Sequence, residues 1–570
     1  MASADRRIEE GRVDRQGRDS DSAAPRDLGR RDFLKAGSAG LAAVTLGSTA
    51  CAPSAERPRE GTWSADAAFE LEERSIAELS AAMTERRLSS IEITRLYLDR
   101  IAALDRSGPT LRSLIEVNPD ALEIAERLDE EREAGTLRGP LHGIPIVVKD
   151  NIDTADRMTT TAGSLALEGH VAAVDSQVAA QLRASGAILL AKANLSEWAN
   201  FRSTRSSSGW SARGGQCGNA FAIDRNPCGS SSGSAAAASA NFCAAAIGTE
   251  TNGSIICPSS MNGVVGLKPT VGLVSRSGII PIAHTQDTAG PITRTVTDAA
   301  LLLSVLVGAD ARDPMTAPAA GFAGTDYTAF LDPAALRGAR IGIERSFFGA
   351  DAGVDALMED AIRIMSAAGA TVVDDALVAT RAQLGLPSGR VLRYEFKADI
   401  AAYLEGAGRP NGMATLADLI AFNQANAARE MPWFGQEIFE ECVDLGGLDS
   451  PEYLTARETA RRLSRDQGID ALMDEFELDA IIAPATRQAW KTDLLNGTIG
   501  SAGSAGPAAI AGYPSITVPN GYVGGLPVGI LFFGRAWSES TLLRLAFAYE
   551  QATGHRRPGR MAASVDPTGA

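Results

Sequence analysis

A serine-rich turn at residues 228–235 is the first feature of this sequence that could do chemistry. It reads Cys-Gly-Ser-Ser-Ser-Gly-Ser-Ala between apolar flanks, and a helix is expected to begin near Ser234. Glycine on both sides lets the backbone turn tightly and approach another group. A flexible linker is disfavoured by the structured flanks, and a phosphate cradle by the lack of a G-x-x-x-x-G-K-[ST] motif. A hydroxyl-rich catalytic turn is the third interpretation.

A second turn, at residues 248–255, reads Gly-Thr-Glu-Thr-Asn-Gly-Ser-Ile and places Ser254 near its end. It follows the apolar run 244–247, which predicts a strand. Successive backbone N–H groups in such a turn can converge on one point, which is what a developing oxyanion needs. Because a serine alone is a weak nucleophile, Ser254 would need a base.

Histidine is the usual base, but the four histidines form no recognisable catalytic or metal-binding spacing; they are His142, His170, His284 and His555. The sequence therefore predicts neither a metal nor another cofactor. Lysine is the alternative base, because burial of an amine lowers its pKa. Lys149 and Lys192 each end an apolar strand run, and the residues alone do not choose between them.

Short apolar runs alternating with helical stretches must position these turns, and they predict an α/β fold. We expect a large mixed, mostly parallel β-sheet flanked by helices in a single catalytic domain, with the late strands joining the early ones. A capping box at Ser89–Glu92 predicts the start of a packing helix. The predicted strand runs are 144–148, 187–191, 244–247, 340–343, 371–373, 480–483 and 515–518.

The start of the chain reads as a targeting signal. Arg30 and Arg31 precede Phe-Leu-Lys and a short apolar run at 36–50, an order that resembles a twin-arginine export signal. Cys51 is a candidate lipoprotein cysteine. This pattern predicts an exported, periplasmic or cell-envelope protein that contacts a membrane only through a lipid at Cys51.

The remaining segments divide as follows. The signal covers 1–51, a linker 52–70, the catalytic domain 71–556 and a tail 557–570. The chemical motifs lie in 140–295, and an insertion or cap covers about 309–450. The insertion is loop-rich over 309–335 and helical over 375–450, around a βαβ-like unit at 340–373. We expect a monomer or a homodimer.

Composition excludes some functions. The 570 residues carry a formal charge of −16, which disfavours a nucleic-acid partner. Hydrophobic residues make up 45% and charged residues 22%, as in ordinary globular proteins. No C-x-x-C occurs, and the cysteines after Cys51 are predicted to be buried, reduced thiols, with a Cys217–Cys228 disulfide as the alternative.

Several ordered motifs together resemble the amidase signature family of Ser-Ser-Lys hydrolases, over roughly 71–556. The motifs are Gly143–Asp150, Gly186–Ala199, Pro227–Ser234, Thr251–Ile255, Gly266–Thr270, Gly512–Pro514 and Leu526–Gly529. Cys228 and Ser232 replace two glycines common in the family, and 250–254 departs from its usual Asp-x-Gly-Gly-Ser. These departures, with residues 208–216, are most similar to the bacterial peptide amidase branch.

The resemblance implies a role for each matching residue. Ser254 would be the nucleophile, Ser230 the bridging serine on a cis peptide bond, and Lys149 the base, which assigns Lys192 no catalytic part. Ser231 would support the lysine and is also grouped with the oxyanion and substrate-binding residues. The N–H groups of Thr251, Asn252, Gly253 and Ser254 would receive the oxyanion. Asp150 and Asp287 are expected to be structural, with Asp287 fixing a turn near the site.

The resemblance also implies the reaction. We expect a serine-type amidase that forms an acyl-Ser254 intermediate on a small-molecule or peptide amide, most simply a peptide C-terminal carboxamide, and releases ammonia. The alternatives are a broad small-amide or aryl-acyl amidase, the amide-hydrolysing component of a tRNA-dependent amidotransferase, and a non-catalytic binding protein.

Overall fold

The apolar runs of the sequence form the strands of one large sheet. The computed structural model describes residues 69–498, 500 and 503–565. The predicted signal, Cys51, nearly all of the predicted linker and the last residues of the predicted tail, 566–570, lie outside these residues, so they remain predictions.

Thirteen strands occur among the described residues: β1 Leu114–Val117, β2 Pro145–Lys149, β3 Ile188–Ala193, β4 Trp210–Ser211, β5 Gly215–Gln216, β6 Ala245–Glu250, β7 Val265–Lys268, β8 Thr288–Thr293, β9 Arg340–Ile343, β10 Thr371–Val373, β11 Ala480–Pro484, β12 Ser515–Val523 and β13 Leu526–Phe533. All seven predicted strand runs are among them. Strands β4 and β5 form a separate hairpin, and the other eleven share one sheet in the order β1-β3-β2-β6-β8-β7-β12-β13-β11-β9-β10.

The predicted large mixed sheet is therefore confirmed, and the late strands β12 and β13 do join the early ones. Parallel pairing holds in each flank, between β2 and its neighbours β3 and β6 and between β9 and its neighbours β10 and β11. The middle of the sheet, from β6 through β8, β7, β12 and β13 to β11, is antiparallel throughout. The expectation of mostly parallel pairs thus describes these strands of the flanks, whereas the edge strand β1 is antiparallel to β3 and the centre is antiparallel.

Helices cover both sides of the sheet: α1 Ile76–Thr84, α2 Ser90–Leu104, α3 Ala121–Glu133, α4 Gln177–Ala184, α5 Ser232–Ser239, α6 Ile256–Met261, α7 Val296–Leu306, α8 Ala352–Ala367, α9 Gly385–Gly406, α10 Leu416–Ala425, α11 Ala427–Glu430, α12 Glu437–Val443, α13 Pro451–Ser464, α14 Asp470–Phe476, α15 Gly506–Ala511 and α16 Glu539–Thr553. Helix α2 begins with the predicted capping box, in which Ser89 and Glu92 each accept from the other's backbone N–H.

Five clusters of buried apolar side chains hold the described layers together, and two of them are the largest. The larger lies between the sheet and its helices, where the side chains of β2, β3 and β6 are completely buried. The second lies under α9, α10 and α12, where Phe396 and Phe439 pack with Trp198. Burial of strand side chains on both faces is why these strands read as continuous apolar runs.

The predicted insertion at 309–450 is not continuous. Residues 314–330 are mainly short 3-10 turns, and the helices α9, α10 and α12 form the second core, as the loop-rich and helical patterns indicated. Between them, β9, α8 and β10 belong to the main sheet and its cover. Among the described helices, none is both long and apolar enough to cross a bilayer.

Candidate active site

Strand β2 carries Lys149 to the edge of the sheet where two chemically active turns begin. Val148 of β2 pairs with Ile247 of the parallel strand β6. Because carboxyl ends of parallel strands meet at one edge, Lys149 lies beside the last residues of β6. The Lys149 side chain is completely buried there.

Three oxygen atoms surround the Lys149 amine. Its Nζ lies 2.8 Å from Ser230 Oγ, 2.9 Å from Thr249 Oγ1 and 3.2 Å from the Thr249 carbonyl oxygen. Asn151 Nδ2 also donates to Thr249 Oγ1, at 3.1 Å. These contacts match what a neutral amine needs, since it has two N–H donors and one lone pair.

One arrangement of the protons on a neutral lysine satisfies these contacts. The Thr249 carbonyl oxygen can only accept, so it takes one N–H of Lys149, and Thr249 Oγ1 can take the other. The lone pair of Nζ is then left for the hydroxyl proton of Ser230. Thr249 therefore orients the neutral amine as an acceptor toward Ser230.

Burial makes this neutral form accessible. Desolvation lowers the pKa of Lys149 from 10.5 to about 7, and the negative charges of Asp287 and Glu250 oppose that change. A side chain with a pKa near 7 can exchange a proton at neutral pH.

The backbone around Ser230 is fixed on both sides. The Gly229–Ser230 peptide bond is cis, as the resemblance implied. Ser230 is completely buried, and its carbonyl oxygen accepts from the Ser196 N–H at 3.1 Å. A Cβ at Gly229 would lie 2.1 Å from Ser196 Oγ, so only glycine fits before the bridging serine.

The turn after β6 presents Ser254. Gly253 has φ +83°, a conformation that favours glycine, and Glu250 accepts from the N–H groups of Ile255 and Ile256 at the start of α6. The Ser231 N–H donates to the Ser254 carbonyl oxygen at 3.1 Å, so the two serine-bearing segments lie on adjacent backbones. Ser254 is 8% exposed.

Four consecutive N–H groups of this turn are free to bind an anion. Within the described parts of the chain, those of Thr251, Asn252, Gly253 and Ser254 donate no hydrogen bond. Unpaired main-chain donors at a tight turn before a helix form the type of site that stabilises an oxyanion. The four N–H groups on which the oxyanion prediction rests are therefore unpaired among the described residues.

Side chains on either side of the turn hold it in place. Thr251 Oγ1 donates to Asp287 Oδ1 at 2.5 Å, and Asp287 Oδ2 accepts from the N–H groups of Ile282 and Ala283. Burial raises the pKa of Asp287 to about 6. Asp287 fixes a turn near the site, as expected from the sequence, and the Asn252 side chain is exposed.

Ser231 binds Thr249, which in turn binds Lys149. Its buried Oγ donates to the Thr249 carbonyl oxygen at 2.9 Å and accepts from the Thr249 N–H at 3.2 Å. It therefore supports the residue that holds Lys149, and its side chain does not face the oxyanion turn as a substrate-binding group would.

Lys192, the other candidate base in the sequence, makes a separate set of hydrogen bonds. Lys192 Nζ donates to the Ile152 carbonyl oxygen at 2.6 Å and to Thr160 Oγ1 at 2.8 Å. Asp150 accepts from Thr161 Oγ1 and from the Gly163 N–H. Both residues order the loop after β2, in agreement with a structural role.

A cavity of about 350 Å³ adjoins the lysine network. Asn151, Thr249, Thr251 and Asp287 line one part of it, and the segment 279–282 lines another. This volume lies within the range of small-molecule pockets.

His284 and Asp399 also line this cavity, and with Glu395 they form a group with metal-ligand chemistry whose candidate ligand atoms lie within 4.8 Å of one another. Protein partners already satisfy them: His284 Nδ1 contacts Asp399 at 2.9 Å, and Glu395 accepts from Tyr453 and Thr285. These atoms form an ion-paired network, which gives no support for a metal there.

The cysteine prediction was wrong in part. Cys228 and Cys257 form a disulfide with a Cα–Cα distance of 5.9 Å, so neither is a reduced thiol and Cys217 is not the partner of Cys228. The local reason is that Cys257, in the first turn of α6, faces the segment before Ser230. Cys217, Cys243 and Cys442 are buried free thiols, as predicted.

Sequence reasoning missed Thr249 and Asn151 as partners of the lysine. Both lie beside residues that were singled out, Thr249 one position before Glu250 and Asn151 two after Lys149. The signal that could have found them is the pairing of β2 with β6, which brings the ends of the two strands together.

Comparisons with known proteins give matches over most of this chain. A family model described as Amidase matches residues 92–543. A probable amidase of Arabidopsis thaliana is 42% identical over 504 residues, which are 87% of this chain and 93% of that protein. A glutamyl-tRNA(Gln) amidotransferase component from Symbiobacterium thermophilum is 35% identical over 501 residues, 84% of this chain and 97% of that protein. The structure of the native peptide amidase from Stenotrophomonas maltophilia is 51% identical with a TM-score of 0.82, over 86% of this chain and 99% of that one.

Proposed function

Because this chain belongs to the amidase family, we propose that it hydrolyses C-terminal carboxamides of peptides through Ser254 and releases ammonia. The observation that carries the chemistry is the contact of 2.8 Å between the buried Lys149 amine and Ser230 Oγ. The observation that favours peptide carboxamides is the similarity, over nearly the whole described chain, to the peptide amidase of Stenotrophomonas maltophilia.

The reaction begins with proton transfer. Neutral Lys149 takes the hydroxyl proton of Ser230, Ser230 takes that of Ser254, and Ser254 Oγ forms a bond to the amide carbonyl carbon. The N–H groups of residues 251–254 bind the resulting oxyanion; loss of a single donor of this kind costs about 3 kcal/mol.

Breakdown of the tetrahedral intermediate reverses the proton path. The C–N bond breaks, and the proton held on Lys149 returns through Ser230 to the leaving nitrogen, which departs as ammonia. Water then attacks the acyl-Ser254 ester with the same relay as base, which yields the peptide carboxylate and restores the three side chains.

A substrate panel tests the specificity. Ammonia release is compared for a dipeptide carboxamide and a short aliphatic amide, and aniline release for an N-aryl acetamide. We expect kcat/KM for the dipeptide carboxamide to exceed both others by about 100-fold, as differential binding of a few groups can supply. Equal or higher values for either small amide would instead identify a broad small-amide or aryl-acyl amidase.

The amidotransferase alternative has less support. The matching amidotransferase sequence is 35% identical, against 51% for the peptide amidase. The formal charge of −16 also disfavours a tRNA partner, because nucleic-acid affinity rests largely on cationic contacts to phosphate.

Activity should depend on pH through the lysine. Only neutral Lys149 can accept a proton, so kcat/KM should fall as pH drops through its pKa of about 7 and reach a plateau above it. Well below pH 7 the fall should approach about tenfold per pH unit. Initial rates between pH 5 and about 9 measure this curve. A rate that still rises about tenfold per pH unit at the upper end, as the ordinary lysine pKa of 10.5 would give, would contradict the role of burial.

Thr249→Val tests the orientation of the amine. Valine keeps the shape of threonine but removes the hydroxyl that binds Lys149 and Asn151, so we expect kcat to fall at least about tenfold with a smaller change in KM. The acid limb of the pH profile should move to lower pH, because a hydrogen bond that favours the charged amine is lost.

Thr249→Ser is the matched control for this variant. Serine keeps the hydroxyl and should restore most of the rate and the original midpoint of the pH profile. An unchanged rate and profile in Thr249→Val would show that the carbonyl oxygen of residue 249 orients the amine without help.

A further inference from the structure

The disulfide lies between the two segments that carry the proposed catalytic serines. Cys228 is two residues before Ser230, and Cys257 is three residues after Ser254. The two cysteines are 29 positions apart in sequence and almost completely buried, with exposures of 4% and 6%. Their neighbours include Ala222, Met261 and Trp490.

Each cysteine of the disulfide is connected directly to a segment of the candidate active site. The Cys257 N–H donates to the Gly253 carbonyl oxygen at 2.8 Å, so the position of Cys257 fixes the turn that binds the oxyanion. Cys228 has φ +57°, a conformation that non-glycine residues rarely adopt and that the surrounding bonds must maintain. A shift at Cys228 would pass through Gly229 to Ser230.

A few hydrogen bonds also join the two segments, including the two between Ser231 and Thr249 described above. The Ser231 N–H donates to the Ser254 carbonyl oxygen, and Asn262, at the end of α6, donates to the Pro227 carbonyl oxygen at 3.0 Å. These bonds keep the segments in contact without the disulfide. Cys228 itself is otherwise held only within its own segment, where its N–H donates to Asn226 Oδ1 at 2.8 Å and its carbonyl oxygen accepts from Ser232 Oγ at 2.6 Å. Loss of the disulfide should therefore loosen the site and not unfold the domain.

We propose that the Cys228–Cys257 disulfide is a covalent cross-link that holds Ser230 and Ser254 in their reactive arrangement, so that full activity requires the oxidised form. The inference rests on the proposed role of Ser254. Opening the bond takes two electrons and two protons and leaves two thiols; a dithiol reagent supplies both and ends as its own cyclic disulfide.

The rate at which a fluorophosphonate labels Ser254 tests the cross-link without any assumption about the substrate. The full chain is compared in three forms: oxidised, reduced with excess dithiol, and as the double variant Cys228→Ser/Cys257→Ser. Mass spectrometry of peptides from unreduced protein verifies the bond. We expect the reduced protein and the double variant to label about 10- to 100-fold more slowly than the oxidised protein, because small misplacements of reacting groups have effects of this size.

Two controls make the result specific. The double variant should not respond to dithiol, whereas Cys217→Ala, which removes a buried thiol outside the bridge, should respond as the parent protein does. Circular dichroism at the assay temperature checks that every form is folded.

The possible contradictions are distinct. A folded double variant that labels as fast as the oxidised parent would overturn the role of the cross-link while leaving the proposed function intact. Absence of labelling in every form, the oxidised parent included, would overturn the role of Ser254 and this inference with it.

Discussion

Ser254→Ala should reduce kcat by about a millionfold, the loss expected when the nucleophile of a serine hydrolase is removed. Alanine leaves the N–H groups of residues 251–254 and the adjacent cavity in place, so substrate should still bind with nearly unchanged affinity. Ammonia release from a peptide carboxamide measures the rate, and intact-mass analysis after fluorophosphonate treatment should show no added mass.

Ser259→Ala, in the helix α6 that follows Ser254, is a matched control. Ser259 is buried, and its hydroxyl has no hydrogen-bond partner among the described residues, so its removal breaks no bond. This variant should keep the rate and the labelling of the parent protein.

More than about 1% residual activity in a rigorously pure Ser254→Ala preparation would mean that another group attacks the amide, because a true nucleophile contributes far more than a hundredfold.

Lys149→Met should have the second-largest effect. Methionine fills similar space without an amine, so the relay loses its base, and we expect kcat near neutral pH to fall by about 10⁴-fold. The acid limb near pH 7 should disappear with the group that causes it. Rates per active site, over the same pH range as for the parent protein, check both effects.

A second variant, Lys192→Met, distinguishes an effect on folding from an effect on catalysis. Lys192 is equally buried at the end of the neighbouring strand but contacts Ile152 and Thr160. Lys192→Met should lower the free energy of unfolding, since it leaves those polar partners unpaired, yet keep the rate per folded molecule. Rapid hydrolysis by folded Lys149→Met would exclude the lysine as base.

The parts of the fold that could be predicted are those with a local signal. Strands β2, β3 and β6 are buried on both faces, so they appear as apolar runs, and the capping box marked the start of α2. Strands β7 and β8 were missed because glycine and proline interrupt them, as in Thr-Ala-Gly-Pro-Ile-Thr. The antiparallel centre of the sheet was missed because pairing between distant strands leaves no local pattern.

The site residues, like the strands, include some that the sequence could identify and some that it could not. Residue types and the family resemblance identified Lys149, Ser230 and Ser254, but composition and periodicity alone left Lys149 and Lys192 equivalent. Their difference is tertiary: β6 lies on the side of β2 that brings Thr249 to Lys149. The Cys228–Cys257 bond was missed for a related reason, since Cys217 is nearer to Cys228 in sequence while α6 carries Cys257 to it in space.

The strand order of the sheet has a consequence for protein synthesis. The last two strands, β12 and β13, lie between β7 and β11 and are the bridge between the two flanks. Until residue 533 has left the ribosome, β7 and β11 each present an unpaired edge, and such edges recruit strands from other chains. Chains stalled before residue 515 should therefore be substrates for chaperones and proteases, and a stop codon there should yield insoluble fragments although every proposed catalytic residue has already been translated.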